Sequence, residues 1–346
     1  MFCTTMEAVP LISIVIPVFN AEKYIRKCIN SILCQTLVDF ELICVNDVST
    51  DNSLSILEEY AAKDPRIKVI NNKENLIGGS YNVGIKAAVS EYVAVVDNDD
   101  WLEPDMYEKL YRATATGSVD IVFCNYYVHY PEGKKEYING ELNSSEFNSL
   151  TDIPNKVLKH QIGPPWSFLV RKSLYVNNNI WFPEHKFFAD NAVTEPLLCS
   201  AHSMVKIDDF LYHWRYDNVS ITRRKNDIRM FTRVDVAISF LENMKRLGFY
   251  EKYGEIIEYR FYELCFKNTM RYYFDDFDHI SLNKISQLRK TYLNNAKGNV
   301  AFNRYYDKRD GVNKLMVAYL KNVYWGYAYN KFLRPIAKKL KKLYNF

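Results

Sequence analysis

Asp97-Asn-Asp-Asp100 places three carboxylates in four consecutive residues. Charges that close repel, and such a cluster is costly unless a cation or a shared proton relieves it. A divalent metal with oxygen ligands is the natural relief. Two other polar clusters accompany it: Pro17-Val-Phe-Asn20 with Glu22, and Asn46-Asp-Val-Ser-Thr-Asp51. Helix capping explains part of these, because Asn20, Ser49, Thr50 and Asp51 are good helix-start residues. Capping is the simpler reading of Ser49 and Thr50. It does not account for the run at 97–100.

Each cluster follows a short apolar run. Residues 12–18, 40–45, 67–70 and 92–96 have strand character, and 21–33, 53–62 and 81–88 between them have helical spacing. This alternation implies an α/β fold, a mostly parallel sheet with helices on its faces. Ligands of such sheets sit at the carboxyl ends of the strands, so the three clusters should converge on one edge. A further strand is expected at 120–128, and 131–149 reads as an irregular polar loop. From Asp227 the pattern changes to long helices, at 228–247, 253–273 and 312–333. The boundary is placed after Thr222-Arg-Arg-Lys225, giving a catalytic domain over 1–224 and a helical region over 225–346.

The 346 residues carry 45 Lys+Arg against 41 Asp+Glu, a net charge of +4 that is too small to imply nucleic-acid binding. No apolar run approaches the roughly 18–20 residues that span a bilayer. No Lys or Arg precedes Lys23, so the charged start of a secretory signal is lacking. Cys3, Cys28, Cys34, Cys44, Cys124, Cys199 and Cys265 form no CxxC pair and read as reduced packing residues of a cytoplasmic protein. The 27 Tyr and 20 Phe suit a Tyr-rich helical half or the lining of a sugar or lipid site. A dinucleotide fold needs GxGxxG after its first strand. That position reads Pro-Val-Phe-Asn-Ala-Glu, and Gly78-Gly-Ser-Tyr-Asn-Val-Gly84 has the wrong spacing. A Walker lysine motif is also missing, so dehydrogenase and P-loop readings fall away.

Pro17-Val-Phe-Asn20, Asn46-Asp-Val-Ser-Thr-Asp51, Asn75-Leu-Ile-Gly-Gly-Ser-Tyr-Asn-Val-Gly84 and Asp97-Asn-Asp-Asp100 together resemble family 2 glycosyltransferases, in order and in spacing. The resemblance is strong over about residues 10–110 and absent from the C-terminal helices. It implies a glycosyltransferase-A fold, a nucleotide-sugar donor and inversion at the anomeric carbon. By position, Pro17, Phe19, Asn20 and Glu22 would border the nucleoside. Asp47 would face the base, where accepting the uracil N3–H favours UDP-sugars. Asp97 would lie by the ribose and metal, and Asp99 would coordinate Mn²⁺ or Mg²⁺. Asn82 and Asn98 belong to the same donor-binding set. The family usually has Arg where Tyr81 stands, which moves any positive group elsewhere, with Lys86 a candidate.

The family's base is the Asp of a Glu-Asp pair further along the chain. Phe187-Phe-Ala-Asp-Asn191 lies in that place, making Asp190 the candidate base, although Ala189 replaces the Glu. Capping of a helix over 191–199 is the alternative reading of Asp190, and Glu195 reads as a helix-surface residue. Trp166 reads equally as a sugar platform or as core. Arg215 and Ser220 match the family's diphosphate-side positions. His213 is a candidate metal ligand, though a His flanked by aromatics is usually a packed one.

Residues 331–346 hold six basic side chains and no acidic one, with apolar residues at helical spacing. Such a segment suits the anionic inner face of a membrane; a solvated terminus is the alternative. The expected activity is metal-dependent transfer of a sugar to a saccharide or lipid-linked acceptor in surface polysaccharide synthesis, by a cytoplasmic or inner-face peripheral enzyme with a possible homodimer contact. Nucleotide-sugar synthesis by a nucleotidyltransferase, or a degenerate sugar-nucleotide scaffold, are the alternatives.

Overall fold

The computed structural model describes residues 9–216, 225–308 and 310–328. The chain divides into two compact units, Met1–Ser220 and Ile221–Phe346.

The first unit is built on β1 (Ile12–Val18), β2 (Phe40–Asn46), β3 (Ile67–Asn71) and β4 (Tyr92–Val95), all parallel. Every residue of β2 is buried, as expected of a strand covered on both faces. Helix α1 (Ile25–Leu33) buries Ile25, Cys28, Ile29 and Ile32, the stripe its spacing predicts. α2 (Ser53–Ala61), α3 (Ser80–Ala87) and α4 (Met106–Ala113) follow. α3 lies close on β1: a Cβ at Gly84 would stand 2.2 Å from Val15 Cγ1. This glycine therefore serves packing.

The register pairs Val18 with Asn46 and Val15 with Val95. The chain leaving β1, β2 and β4 consequently emerges along one edge, which brings the three polar clusters together.

The other half of the sheet is mixed. β5 (Trp101–Leu102) and β6 (Ile121–Tyr130) are followed by β7 (Gly133–Tyr137), β8 (Phe168–Arg171) and β9 (Met204–Arg215). The order is β3-β2-β1-β4-β8-β6-β9-β5, with β7 on the flank of β6. The stretch read as a loop at 131–149 thus contains β7 and a helix, Ser144–Ser149, opened by an Asn143/Glu146 capping box. β9 escapes a pattern reading because Lys206, Asp208 and Asp209 interrupt its apolar alternation. Lys206 is nonetheless buried, its ammonium donating to the Asn139 carbonyl at 2.7 Å and to the Leu142 carbonyl, and burial lowers its pKa to about 8.

The second unit is helical, but its expected long helices are broken. Residues 228–247 form a 3-10 turn, Ile228–Thr232, and then a helix, Arg233–Arg246. A π-helical turn, Tyr262–Lys267, separates Phe249–Phe261 from Asn268–Asp276. Further on, Asn322 is extended and its side chain accepts from the Tyr324 amide at 2.8 Å, dividing Gly311–Lys321 from Val323–Ala328. Residues 331–346, the basic segment, lie outside the described residues. The six described cysteines are free thiols, five of them buried.

Glu41 is a charged residue of β2 that is only 3% exposed. It accepts from Ser13 Oγ at 2.5 Å, Lys68 Nζ at 2.8 Å and the Val89 amide at 2.8 Å. Burial pushes its carboxyl up, and Lys68, Ser13 and Val89 together outweigh that and hold it below the ordinary 4.5. A depressed folded-state pKa contributes stability above the unfolded value and loses it as the pH falls through the folded value. Glu41→Ala should therefore destabilise by about 2 kcal/mol at pH 7 by stranding buried donors. The gap to wild type in denaturant titrations should narrow below pH 4.5.

Candidate functional site

The loops after β1 and β2 are laced to each other. The Asn20 amide donates to Ser49 Oγ at 3.1 Å, and Asn20 Oδ1 accepts from the Thr50 amide at 2.7 Å. The Ala21 amide reaches Ser53 Oγ at 2.8 Å, and Glu22 Oε2 accepts from Asn52 Nδ2 at 2.8 Å. Ser49 and Thr50 are therefore cross-loop ties; the N-cap of α2 is Asn52, and Asp51 accepts from the Ser53 amide at 2.9 Å. Asn98 Nδ2 donates to the Pro17 carbonyl at 2.7 Å and joins the third loop to the first. Phe19 remains 37% exposed on this edge.

Asp47, expected to face the base, is engaged by the following loop. It is 2% exposed, and its carboxylate accepts from Asn72 Nδ2 at 2.8 Å, the Leu76 amide at 2.9 Å and the Ile77 amide at 3.0 Å. Both oxygens hold the 72–77 loop. Asn82, expected in the donor-binding set, is also engaged within the protein. It is 3% exposed and clasps one backbone unit from both sides: its Nδ2 donates to the Phe182 carbonyl at 2.8 Å, and its Oδ1 accepts from the Phe182 amide at 2.9 Å.

The acidic run separates into distinct environments. Asp100 is 1% exposed and accepts from Tyr212 OH and the Arg215 amide, both at 2.7 Å, which pins the end of β9. Burial, then the charges of Asp99 and Asp97, raise its pKa well above the usual range. The Asp97 amide donates to the same Tyr212 oxygen at 3.2 Å, while its carboxylate accepts from Tyr81 OH. Burial raises Asp97 to about 6, the Tyr81 hydrogen bond opposes the rise, and the charge of Asp190 adds to it. Asp99 is partly buried, and its carbonyl accepts from Arg215 Nε at 2.9 Å. Sequence reasoning missed Tyr81 and Tyr212 as partners of these carboxylates; the departure at Tyr81 was the available signal.

Asp190 comes to this edge from a distant stretch of chain, in the 3-10 turn Ala189–Ala192. The turn is seated on the loop ahead of α3. A Cβ at Gly78 would stand 2.3 Å from Ala189 Cβ, the His185 amide donates to the Leu76 carbonyl at 2.8 Å, and Tyr81 stacks on Phe182 at 4.8 Å. The charge of Asp190 acts on both Asp97 and Tyr81. The following helix begins at Thr194 behind an N-cap Val193, so Asp190 is not its N-cap.

Other candidates fall elsewhere. Trp166 is core, 5% exposed and stacked on Tyr212 at 4.0 Å. Glu195 is 6% exposed and not a surface residue. His213 uses both nitrogens, Nε2 with Glu103 Oε1 at 2.8 Å and Nδ1 with His129 Nε2 at 2.9 Å. Lys86 rests its ammonium on the Trp181 ring. Ser220 lies outside the described residues. Among the described residues no group of three His, Cys, Asp or Glu is disposed to hold a metal. Asp97 and Asp99 offer two hard oxygen donors, which fits an ion that takes one or two carboxylates and completes its shell with phosphate and water.

Residues 13–176 match the family model described as Glycosyl transferase family 2. A Bacillus subtilis protein described as uncharacterized glycosyltransferase EpsJ is 31% identical over 252 residues, covering 71% of each chain. Glycosyltransferase GlyG of Streptococcus pneumoniae is 33% identical over 234 residues, 63% of this chain and 75% of its own. The fold is shared with S. aureus TarS 1-349 in complex with UDP, at a TM-score of 0.71 and 20% identity over 92% of this chain and 91% of that one.

Gly78→Ala should overpack the seat of the Asp190 turn and destabilise by about 1–3 kcal/mol. Adding Ala189→Gly should recover most of that loss in a thermal-denaturation double-mutant cycle; additive losses would show that the two segments do not touch.

Proposed function

Since the chain belongs to glycosyl transferase family 2, and is thus a glycosyltransferase, we propose that it moves a sugar from a UDP-sugar to a saccharide or lipid-linked acceptor of a surface polysaccharide, with inversion and with Mn²⁺ or Mg²⁺. The observation that carries the reading is that the turn bearing Asp190 is seated on the segment whose Tyr81 donates to Asp97. Support for the donor comes from TarS 1-349, which shares the fold and has been crystallised with UDP and with UDP-GlcNAc. The uridine preference rests on that likeness. The nucleotidyltransferase alternative is set aside by the family.

Inverting transfer needs a carboxylate to take the acceptor hydroxyl's proton as the oxygen attacks. Asp190 is proposed for that role. The turn's seat on Gly78 and the Asn82 clasp on Phe182 hold it against the Asp97 loop. Asp97 and Asp99 are the proposed metal ligands, and a bound divalent ion would neutralise the departing diphosphate. Pro17, Phe19, Asn20 and Glu22 border the edge where the nucleoside is proposed to lie. Asn98 keeps that border joined to the acidic loop. The domains are proposed to divide the labour, donor binding and transfer in 1–224 and acceptor or membrane contact in 225–346.

Calorimetry with UDP, GDP and TDP, with and without Mn²⁺, tests the donor assignment. Tight binding of UDP alone, dependent on Mn²⁺ and lost in Asp99→Ala, is the expected result; binding of no nucleotide under either condition would overturn it. Asp190→Asn should keep UDP affinity while turnover falls by about two to four orders of magnitude. A variant that still turns over near the wild-type rate would require a different base.

The basic segment 331–346 is proposed to hold the enzyme on an anionic membrane face. Its deletion should abolish co-sedimentation with phosphatidylglycerol vesicles, and unchanged sedimentation would remove the membrane from the scheme.

A further inference from the structure

The helical unit holds a cleft of its own, about 360 Å³ in volume. That lies within the roughly 300–1,000 Å³ of small-molecule sites. One wall is the helix Phe249–Phe261, on which Tyr250, Gly254 and Glu258 recur at every fourth residue and so share a face. The Tyr250 hydroxyl donates to Glu258 along that face. Neither packing nor backbone calls for the glycine between them. Its torsions are helical, and a Cβ there would meet the Tyr250 ring at 3.6 Å, an ordinary contact. A glycine inside a helix costs stability, and what the missing side chain leaves here is open cleft.

A second wall carries an unused hydroxyl. Tyr292, on the helix Leu282–Asn295, lines the cleft and is 3% exposed, yet its hydroxyl makes no hydrogen bond among the described residues. Buried hydroxyls are seldom left so. Burial, then the charge of Glu258, push its pKa up, so it stays protonated and able to donate. At the rim, the 3-10 turn Val300–Phe302 buries Val300 and leaves the Phe302 ring 85% exposed. Asn299 fixes that turn by accepting from the Ala301 amide at 3.0 Å. Charges of both signs stand around the cleft. Lys297 Nζ lies 5.0 Å from the centre of the Tyr250 ring, and the Lys297 amide donates to Glu258 Oε2 at 3.1 Å. The Glu255 carboxylate accepts from the Arg304 amide at 2.8 Å.

These walls select the chemistry of an occupant. An apolar ligand would leave the Tyr292 hydroxyl unpaired, an anion would meet Glu255 and Glu258, and a cation would meet Lys297 and Arg304. A neutral polyol with an apolar face avoids all three conflicts. A sugar ring lays its C–H face on an aromatic ring and gives its hydroxyls to carboxylates, the stronger kind of hydrogen bond. We propose that this cleft of the helical unit is a saccharide-binding site, with Phe302 as the platform for a sugar face and Tyr292 and Glu258 as partners of its hydroxyls. The saccharide class follows from the cleft alone. That the saccharide is a stretch of the acceptor chain rests on the glycosyltransferase reading.

Titration of the full chain with maltotriose and with chitotriose, followed by saturation-transfer NMR, tests the site in wild type, Tyr292→Phe and Phe302→Ala. Wild type should bind at least one trisaccharide, and each variant should weaken that binding about tenfold. Phe302 is exposed, so its variant is expected to fold. Tyr292→Phe keeps the buried ring and removes only an unpaired hydroxyl, so its thermal midpoint should hold or rise. Binding of neither trisaccharide by wild type overturns the site. So does binding that both variants leave unchanged, which would place the sugar elsewhere on the chain. Calorimetry with UDP and Mn²⁺ on the same three proteins separates this outcome from the donor assignment. Wild type that binds a trisaccharide in the cleft but no UDP overturns the donor and leaves the cleft standing. Equal UDP binding by all three, with no trisaccharide bound, overturns the cleft alone.

Discussion

Holding two like charges from distant parts of the chain within reach of each other is the constraint around which this structure is arranged. Asp97 sits at the end of β4 and Asp190 in a turn far along the sequence, and their mutual repulsion would drive an unsupported turn away. The segment around residues 75–82 supplies the restraint. Asn82 grips the Phe182 backbone through two hydrogen bonds, Tyr81 stacks on the Phe182 ring while donating to Asp97, and Gly78 admits Ala189 at a distance no Cβ would allow. Asp47 in turn holds the preceding residues through the Leu76 and Ile77 amides. A chain of specific bonds therefore runs from β2, through this bracket, to the candidate base. None of these side chains needs to touch a substrate to matter.

The charge distribution follows from the same loop. Asp100 is drawn inward by Tyr212 and the Arg215 amide, which fixes the end of β9 beside the acidic run. Asp97 is held by Tyr81 on the side of Asp190. Arg215, carried on the same β9 end, places its guanidinium against Tyr24 and Trp101 and joins Lys27 there. One short loop thus separates an acidic face from a basic one. The buried partners keep each charge on its own side.

Patterns of short range were legible in the sequence. The first four strands and their helices follow from apolar runs and helical stripes, and the register that aligns their ends follows from a parallel sheet. Three polar clusters, the lack of a phosphate-cradling glycine turn and the ordered motifs led to the family. The missed elements have local causes. β8 is four residues long, β9 carries Lys206 and two Asp within its run, and the long C-terminal helices are cut by a π-helical turn and by an extended Asn322.

Residue types and spacing determined the fold class, the edge of the sheet where the site lies and the acidic character of that site, because these depend on local hydrophobic periodicity and on what a strand end presents. Which polar residue faces outward was decided by tertiary structure alone. Asp47 and Asn82 carry the chemistry of ligand-binding residues, and both are engaged within the protein. Trp166 is likewise taken into the core, while Lys27, an unremarked position on α1, is brought beside Arg215. A donor or acceptor atom can be spent only once, and what spends it here is a backbone group or ring brought near by folding from far along the chain.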